Sequence, residues 1–115
     1  RGLSGSTNGR GIAVAATASP GTLVHSALGS PAANEWDELS LFAVNNTGSA
    51  VSLTVEFGGT DSADQITVSV PANSGQTEVL SRLVLNGGAV LRAYAGSANN
   101  VTVFGAVRRY EQEGM

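Results

Sequence analysis

Val51-Ser52-Leu53-Thr54-Val55-Glu56-Phe57 and, one loop later, Gln65-Ile66-Thr67-Val68-Ser69-Val70 decide the fold class. In the first, Val51, Leu53, Val55 and Phe57 point one way and Ser52, Thr54 and Glu56 the other. In the second, Ile66, Val68 and Val70 alternate with Gln65, Thr67 and Ser69. A period of two with polar partners is a strand that rests one face on a core and turns the other to water, as in an antiparallel sandwich. Outward from this pair, further apolar runs at Ile12-Ala18, Thr22-Ala27, Leu39-Asn45, Thr77-Leu85, Val90-Ala95 and Val101-Arg109 are separated by Gly, Pro, Asn, Ser and Asp. No window sustains a helical period. The reading is all-β: an antiparallel β-sandwich of about eight strands, jelly-roll-like in its spacing of strands and turns.

Turn chemistry punctuates these runs. Asn45-Asn46-Thr47-Gly48 and Asn86-Gly87-Gly88 offer residues that tolerate positive φ, and both read as hairpins. Pro20 and Pro71 lack the N–H a ladder needs and mark strand ends. The sequence divides into a flexible, Gly-rich N-terminal arm over residues 1-11, a sandwich domain over 12-110 and a C-terminal tail over 111-115. The expected core is Leu39, Leu41, Val51, Leu53, Val55, Phe57, Ile66, Val68, Val70, Leu91, Val101 and Val103.

Composition narrows the function classes. The 115 residues carry 42% hydrophobic side chains and a net charge of -3, which is far from the signature of disorder. Without cysteine, stability must come from packing rather than disulfides or thiolate metal sites. The six positive charges are all Arg, and only Arg108 and Arg109 are adjacent, with Glu111 and Glu113 close behind. No basic stripe marks a nucleic-acid partner. No apolar run approaches the ~20 residues of a spanning helix, so no membrane partner is expected.

Residues able to do chemistry are few. His25 is the one histidine; an enzyme would need it to meet a nucleophile and an acid in a pocket, and no Gly-x-Ser-x-Gly motif accompanies it. Its bland reading is a hydrogen-bonded strand histidine. Asp61 and Asp64 could offer loop oxygens to calcium, but the spacing is not that of an EF-hand, and turn aspartates usually cap their own backbone. Glu35-Trp36-Asp37-Glu38 groups three acids beside the one Trp. Neighbouring strand residues face opposite ways, which disfavours a shared catalytic pair, so the tetrapeptide reads as a solvated loop with Trp36 closing the edge of the core. Asn45-Asn46-Thr47 and Asn100-Val101-Thr102 match the N-glycosylation pattern. No catalytic, cofactor-binding or metal-binding residue is assigned, and no cofactor is expected.

A resemblance adds to this reading. Asp37-Glu38-Leu39-Ser40-Leu41-Phe42-Ala43-Val44-Asn45-Asn46-Thr47, then Leu53-Thr54-Val55-Glu56-Phe57-Gly58-Gly59-Thr60, Ile66-Thr67-Val68-Ser69-Val70-Pro71-Ala72-Asn73-Ser74-Gly75, Val90-Leu91-Arg92-Ala93-Tyr94-Ala95 and Arg108-Arg109-Tyr110 resemble small β-rich structural proteins of tailed bacteriophages. In that group an acidic strand start, a Trp/Phe-Gly-Gly-Thr hairpin, a Pro-Ala-x-Ser-Gly turn and a strand ending in Arg-Ala-Tyr/Phe-Ala recur. The likeness covers Thr22 to Tyr110, and its motifs are structural rather than catalytic. It implies a non-enzymatic virion component, foremost a capsid decoration or cement protein made in the host cytoplasm and seated on the outer surface of the major capsid protein shell. Head-fibre, neck or tail components and a carbohydrate- or receptor-binding module are the alternatives. The apolar surplus in Leu39-Val44, Val79-Leu80 and Leu83-Leu85 suggests subunit contacts, and analogy with the resembled group favours a homotrimer.

Overall fold

The computed structural model describes residues 1–29, 35–73 and 75–110. Its eight strands are β1 (Ile12–Ala13), β2 (Thr22–Ser26), β3 (Trp36–Asn45), β4 (Val51–Phe57), β5 (Gln65–Val70), β6 (Gln76–Leu85), β7 (Val90–Ala95) and β8 (Val101–Tyr110). They form two antiparallel four-stranded sheets, in the orders β1-β8-β3-β6 and β2-β7-β4-β5. First pairs with eighth, second with seventh, third with sixth and fourth with fifth, so the chain is one long hairpin wrapped around a core. That nesting is the jelly roll. The all-β sandwich expected from the alternating runs is therefore present, and among the described residues no helix is long and apolar enough to cross a membrane.

The wrapped topology corrects both hairpin readings. Asn45 to Gly48 leads from β3 in one sheet to β4 in the other, and Asn86 to Gly88 leads from β6 to β7 across the same gap. The turn residues are those a hairpin would use, with Gly87 at φ 69 and Gly88 at φ 74. What differs is the partner, and partners are set by the core rather than by the turn. Among consecutive strands only β4 and β5 pair directly, through a loop holding a short 3-10 turn at Ser62–Asp64.

β3 starts at Trp36, so Trp36 to Glu38 belong to a strand and not to a solvated loop. The expected first strand is shorter than its apolar run, pairing with β8 only at Ile12 and Ala13. In β6 the register shifts twice against β3, and Arg82 takes a left-handed φ of 59. These bulges twist an edge strand that would otherwise present a flat template to other chains.

The core between the sheets is aliphatic. Of the expected core, Leu39, Leu41, Val51, Leu53, Val55, Val70, Leu91, Val101 and Val103 are buried, while Phe57, Ile66 and Val68 only lean against it. Leu3, Val14, Val24, Leu80, Leu85 and Val107 complete it. No aromatic side chain lies among these buried residues. In β3 the odd positions face the core and the even ones face away, which turns Trp36 and Phe42 outward. Across the ladder they lie opposite Tyr110 and Phe104 of β8. Trp36 and Tyr110 stack with ring centroids 5.1 Å apart. The outer face of this sheet therefore carries four of the six aromatics, and Trp36 stacks there rather than closing the core.

Candidate functional site

Arg1 to Gly5 lie against the sandwich rather than apart from it. Arg1 exchanges two main-chain hydrogen bonds with Val107, at 2.9 and 2.8 Å, and so pairs with the part of β8 that the short β1 leaves open. Leu3 is only 3% exposed and reaches Gly105, where no side chain stands in its way. Gly5 donates to the Val24 carbonyl of β2, so close that a Cβ there would meet that oxygen at 2.7 Å. One segment thus fastens to both sheets along one side of the sandwich. Thr7 to Arg10 then turn back, with Asn8 at φ 55 and Gly9 at φ 77. In a segment that is otherwise polar and glycine-rich, Leu3 is the single large apolar residue, and it is buried.

Beneath this segment lies the ionisable cluster that the sequence left dispersed. Asp37 is fully buried because odd positions of β3 face inward. Arg109 stands directly opposite it on β8 and binds it in a two-pronged pair, Nε to Oδ1 at 2.7 Å and Nη2 to Oδ2 at 2.8 Å. Such fork-to-fork geometry combines charge with two aligned donors. His25, 1% exposed, comes from β2 in the other sheet, where an irregularity between Leu23 and His25 turns Val24 and His25 both inward. Its Nε2 lies 2.7 Å from Asp37 Oδ2, and its Nδ1 accepts the Ser4 main-chain N–H at 2.9 Å. With Nδ1 accepting, Nε2 carries the proton and donates it to Asp37. The Ser4 hydroxyl in turn accepts the Ser26 N–H.

Serine, histidine and aspartate therefore meet here, as a hydrolase triad would require, but in another order. The ring nitrogen facing Ser4 is capped by a main-chain amide, and both ring nitrogens are engaged inside the protein. In this arrangement His25 takes no proton from a substrate. What the cluster does is tie together β2, β3, β8 and the N-terminal segment. Burial by itself would push the Asp37 carboxyl up, but the hydrogen bonds and charges of Arg109 and His25 outweigh it and hold the group below the ordinary aspartate value. A depressed carboxyl stabilises the fold fully above its unfolded pKa of about 3.9, and that contribution fades as pH falls through the lower folded value. Denaturation midpoints in urea should therefore hold from pH 7 to about pH 5 and drop below pH 4. In Asp37→Asn the acid drop should be shallower; an unchanged acid limb would show that Asp37 contributes nothing to it.

The other residues singled out by type fall elsewhere. Glu38 faces outward and binds Arg82 at 3.0 Å, on the opposite face from Asp37, as strand alternation requires. Asp61 and Asp64 are joined through the turn, Asp64 N–H to the Asp61 carbonyl at 2.9 Å, and Asp64 packs against Gly59. Among the described residues no three His, Cys, Asp or Glu side chains gather to hold a metal. Asn45 is buried, donating to the Ser49 and Val70 carbonyls at 2.8 and 3.0 Å, so its amide is committed to joining the sheets. Asn100 is exposed and donates to Ser97 Oγ at 3.0 Å.

One residue that sequence reasoning passed over is Glu56. Its even position in β4 predicts solvent exposure, yet it is 1% exposed because Ser19 and Gly21 fold over the outer face of the second sheet and donate to Oε2 and Oε1 at 2.5 and 2.7 Å. Beside it opens a cleft of about 330 Å³ between the ends of β4 and β7. Comparison with protein-family models, curated proteins and solved structures finds no match to this chain.

Proposed function

We propose that this chain is a non-enzymatic structural protein of a bacteriophage particle, a homotrimeric decoration protein that binds the outer surface of the major capsid shell and stabilises it. The observation that carries the proposal is where the aromatics are spent. A jelly roll of this size closes its core with aliphatic residues alone and sets Trp36, Phe42, Phe104 and Tyr110 on one outer sheet face. Large, rigid aromatic side chains on a flat face are what protein contacts draw on. Val84, 52% exposed and opposite the outward-facing Glu38, continues the apolar surface onto the edge strand β6. The likeness of Thr22 to Tyr110 to phage structural proteins supplies the particle. Fold by itself adds nothing to that step, since jelly rolls serve capsids and lectins alike. The buried ion cluster fits the same role, because its groups are committed to holding sheets together.

Mass spectrometry of purified particles should find the chain in many copies, and a labelled antibody should decorate heads. Particles lacking the chain would overturn the proposal, and label confined to tails would move it to the tail or neck. Light scattering on the isolated protein should return three times the 11.6 kDa of one chain. Trp36→Ala combined with Phe104→Ser should lower that mass while leaving the β-rich circular dichroism spectrum intact; an unaffected mass would remove this face from the assembly.

A further inference from the structure

We infer that the free edge of β5 is a pairing surface for a second copy of this chain, the two β5 strands running antiparallel across a two-fold axis at Thr67. The outer edges of the two sheets are not alike. β1 pairs over two residues only, and farther along β8 the same side is taken by Arg1, paired with Val107. β2 is occupied by Gly5, which donates to the Val24 carbonyl, and by Ser4, whose hydroxyl accepts the Ser26 N–H. β6 shifts register twice and holds Arg82 at a left-handed φ. Such devices keep an edge from templating another strand. β5 has none of them: Gln65–Val70 carries no charge, glycine or proline, and it runs beside β4 through six pairs without a shift.

The main-chain bonds define what that edge leaves open. The Ser52 carbonyl accepts the Gly96 N–H on the β7 side of β4, and main-chain groups alternate sides along a strand. Val51, Leu53 and Val55 therefore turn theirs toward β5, where Val70, Val68 and Ile66 stand opposite, and Gln65, Thr67 and Ser69 turn theirs away. Gln65 spends its N–H on the Ser62 carbonyl. Its carbonyl and both main-chain groups of Thr67 and Ser69 meet no partner among the described residues. An antiparallel copy centred on Thr67 satisfies them: the two Thr67 residues exchange bonds across the axis, and each Ser69 N–H meets the Gln65 carbonyl of the other copy. The side chains agree with this register. Ile66 and Val68, which one copy alone only partly buries, come opposite each other in the non-bonded pairs, where side chains approach most closely. Centring on Val68 would instead set Ile66 against Val70, which is already buried. Charge also favours a copy of the same chain as occupant. No like charges meet along the edge, and the two Asp64 side chains fall at opposite ends about 20 Å apart, beyond the screening length of physiological salt. An edge of six residues buries well under the roughly 1,000 Å² of a stable interface, so the contact is weak alone and gains where copies are held side by side.

The test is sedimentation of the full chain over a dilution series from about 2 mM to about 10 μM, with the amide signals of isotope-labelled protein followed over the same range. The mass should rise with concentration with a Kd on the order of 1 mM, and the Thr67 and Ser69 amides should shift and gain protection in step with it. Ser69→Pro removes an N–H that points away from β4, so it should keep the β-rich circular dichroism spectrum and weaken the association at least tenfold. Thr67→Lys, which sets two like charges on the axis, should do the same, and it decides alone were the proline variant to fold poorly. In Trp36→Ala combined with Phe104→Ser, which removes the aromatic face of the other sheet, the rise should persist and stop at twice the mass of one chain. A mass independent of concentration in that background overturns the inference, as does undiminished association in Thr67→Lys. Thr67 and Ser69 amides protected in particles but never in the isolated protein would give the edge to a strand of another particle protein and overturn it too. The particle assignment is read separately, by the antibody and mass measurements on particles.

Discussion

Asp37→Ala should cost about 3–5 kcal/mol of unfolding free energy, the scale of breaking a buried pair by deleting one partner. The loss is large because it is not confined to the contact removed. The Arg109 guanidinium, only partly exposed, would keep its charge and lose its two hydrogen bonds to Asp37, and His25 Nε2–H would face a cavity. Against a total stability of about 5–15 kcal/mol for a domain, this alone brings the fold close to its limit. The neighbouring residue is a built-in control. Glu38 pairs with Arg82, whose side chain is 67% exposed, so Glu38→Ala should cost no more than about 1 kcal/mol. Urea denaturation at pH 7 measures both. A released His25 should also loosen the segment it holds, so the Gly5 amide, bonded to the Val24 carbonyl, should exchange with solvent faster in Asp37→Ala. Equal costs for the two substitutions would mean that the cluster is no stronger than a surface ion pair.

Strand parity made most of the fold readable, and it also held signals that the reading of the sequence did not follow far enough. Counting in twos from Leu39 and Leu41 back to Asp37, and along β8 from Val103 and Val107 to Arg109, puts an acid and a base on the same inner face. Two opposite charges aimed into one core predict their own pairing. The same count from Leu41 turns Phe42 outward, onto the face that carries Trp36. His25 was less accessible to such counting, because the irregularity in β2 lets two successive residues face inward and breaks the parity. Sheet partners were not local information at all. Asn-Gly chemistry permits a tight reversal, but whether the next strand returns beside the last or crosses to the opposite sheet depends on which arrangement buries the apolar faces of all eight strands together. Glu56 was illegible for the same reason in reverse. Its outward parity in β4 is right, and it is buried only because Ser19 and Gly21, far away in sequence, cross over it.

Leu53→Ala should be the most costly of the core truncations and should exceed Phe57→Ala, although Phe57 is the larger side chain. Leu53 is fully buried at the centre of β4, with Val68 of β5 on one side in the ladder and Ala95 of β7 on the other. Removing its outer carbons costs the transfer of those atoms plus the cavity left behind, about 2–5 kcal/mol in all. Where in that range it falls depends on whether neighbours can move in. Valine is the commonest residue of the described buried set, and Val14, Val24, Val55, Val70, Val101 and Val103 are all excluded from solvent. A β-branched side chain has few χ1 choices on a strand and cannot swing into a vacancy as leucine or methionine can. The cavity should therefore stay open and the cost should lie in the upper half of the range. Phe57 sits at the end of the same strand, only partly buried against the core, so part of its surface is already in water and truncation forfeits less. Thermal and urea unfolding of the two variants should place Leu53→Ala below Phe57→Ala. The reverse order would mean that the aromatic at the mouth of the sandwich, rather than the aliphatic centre, closes the core.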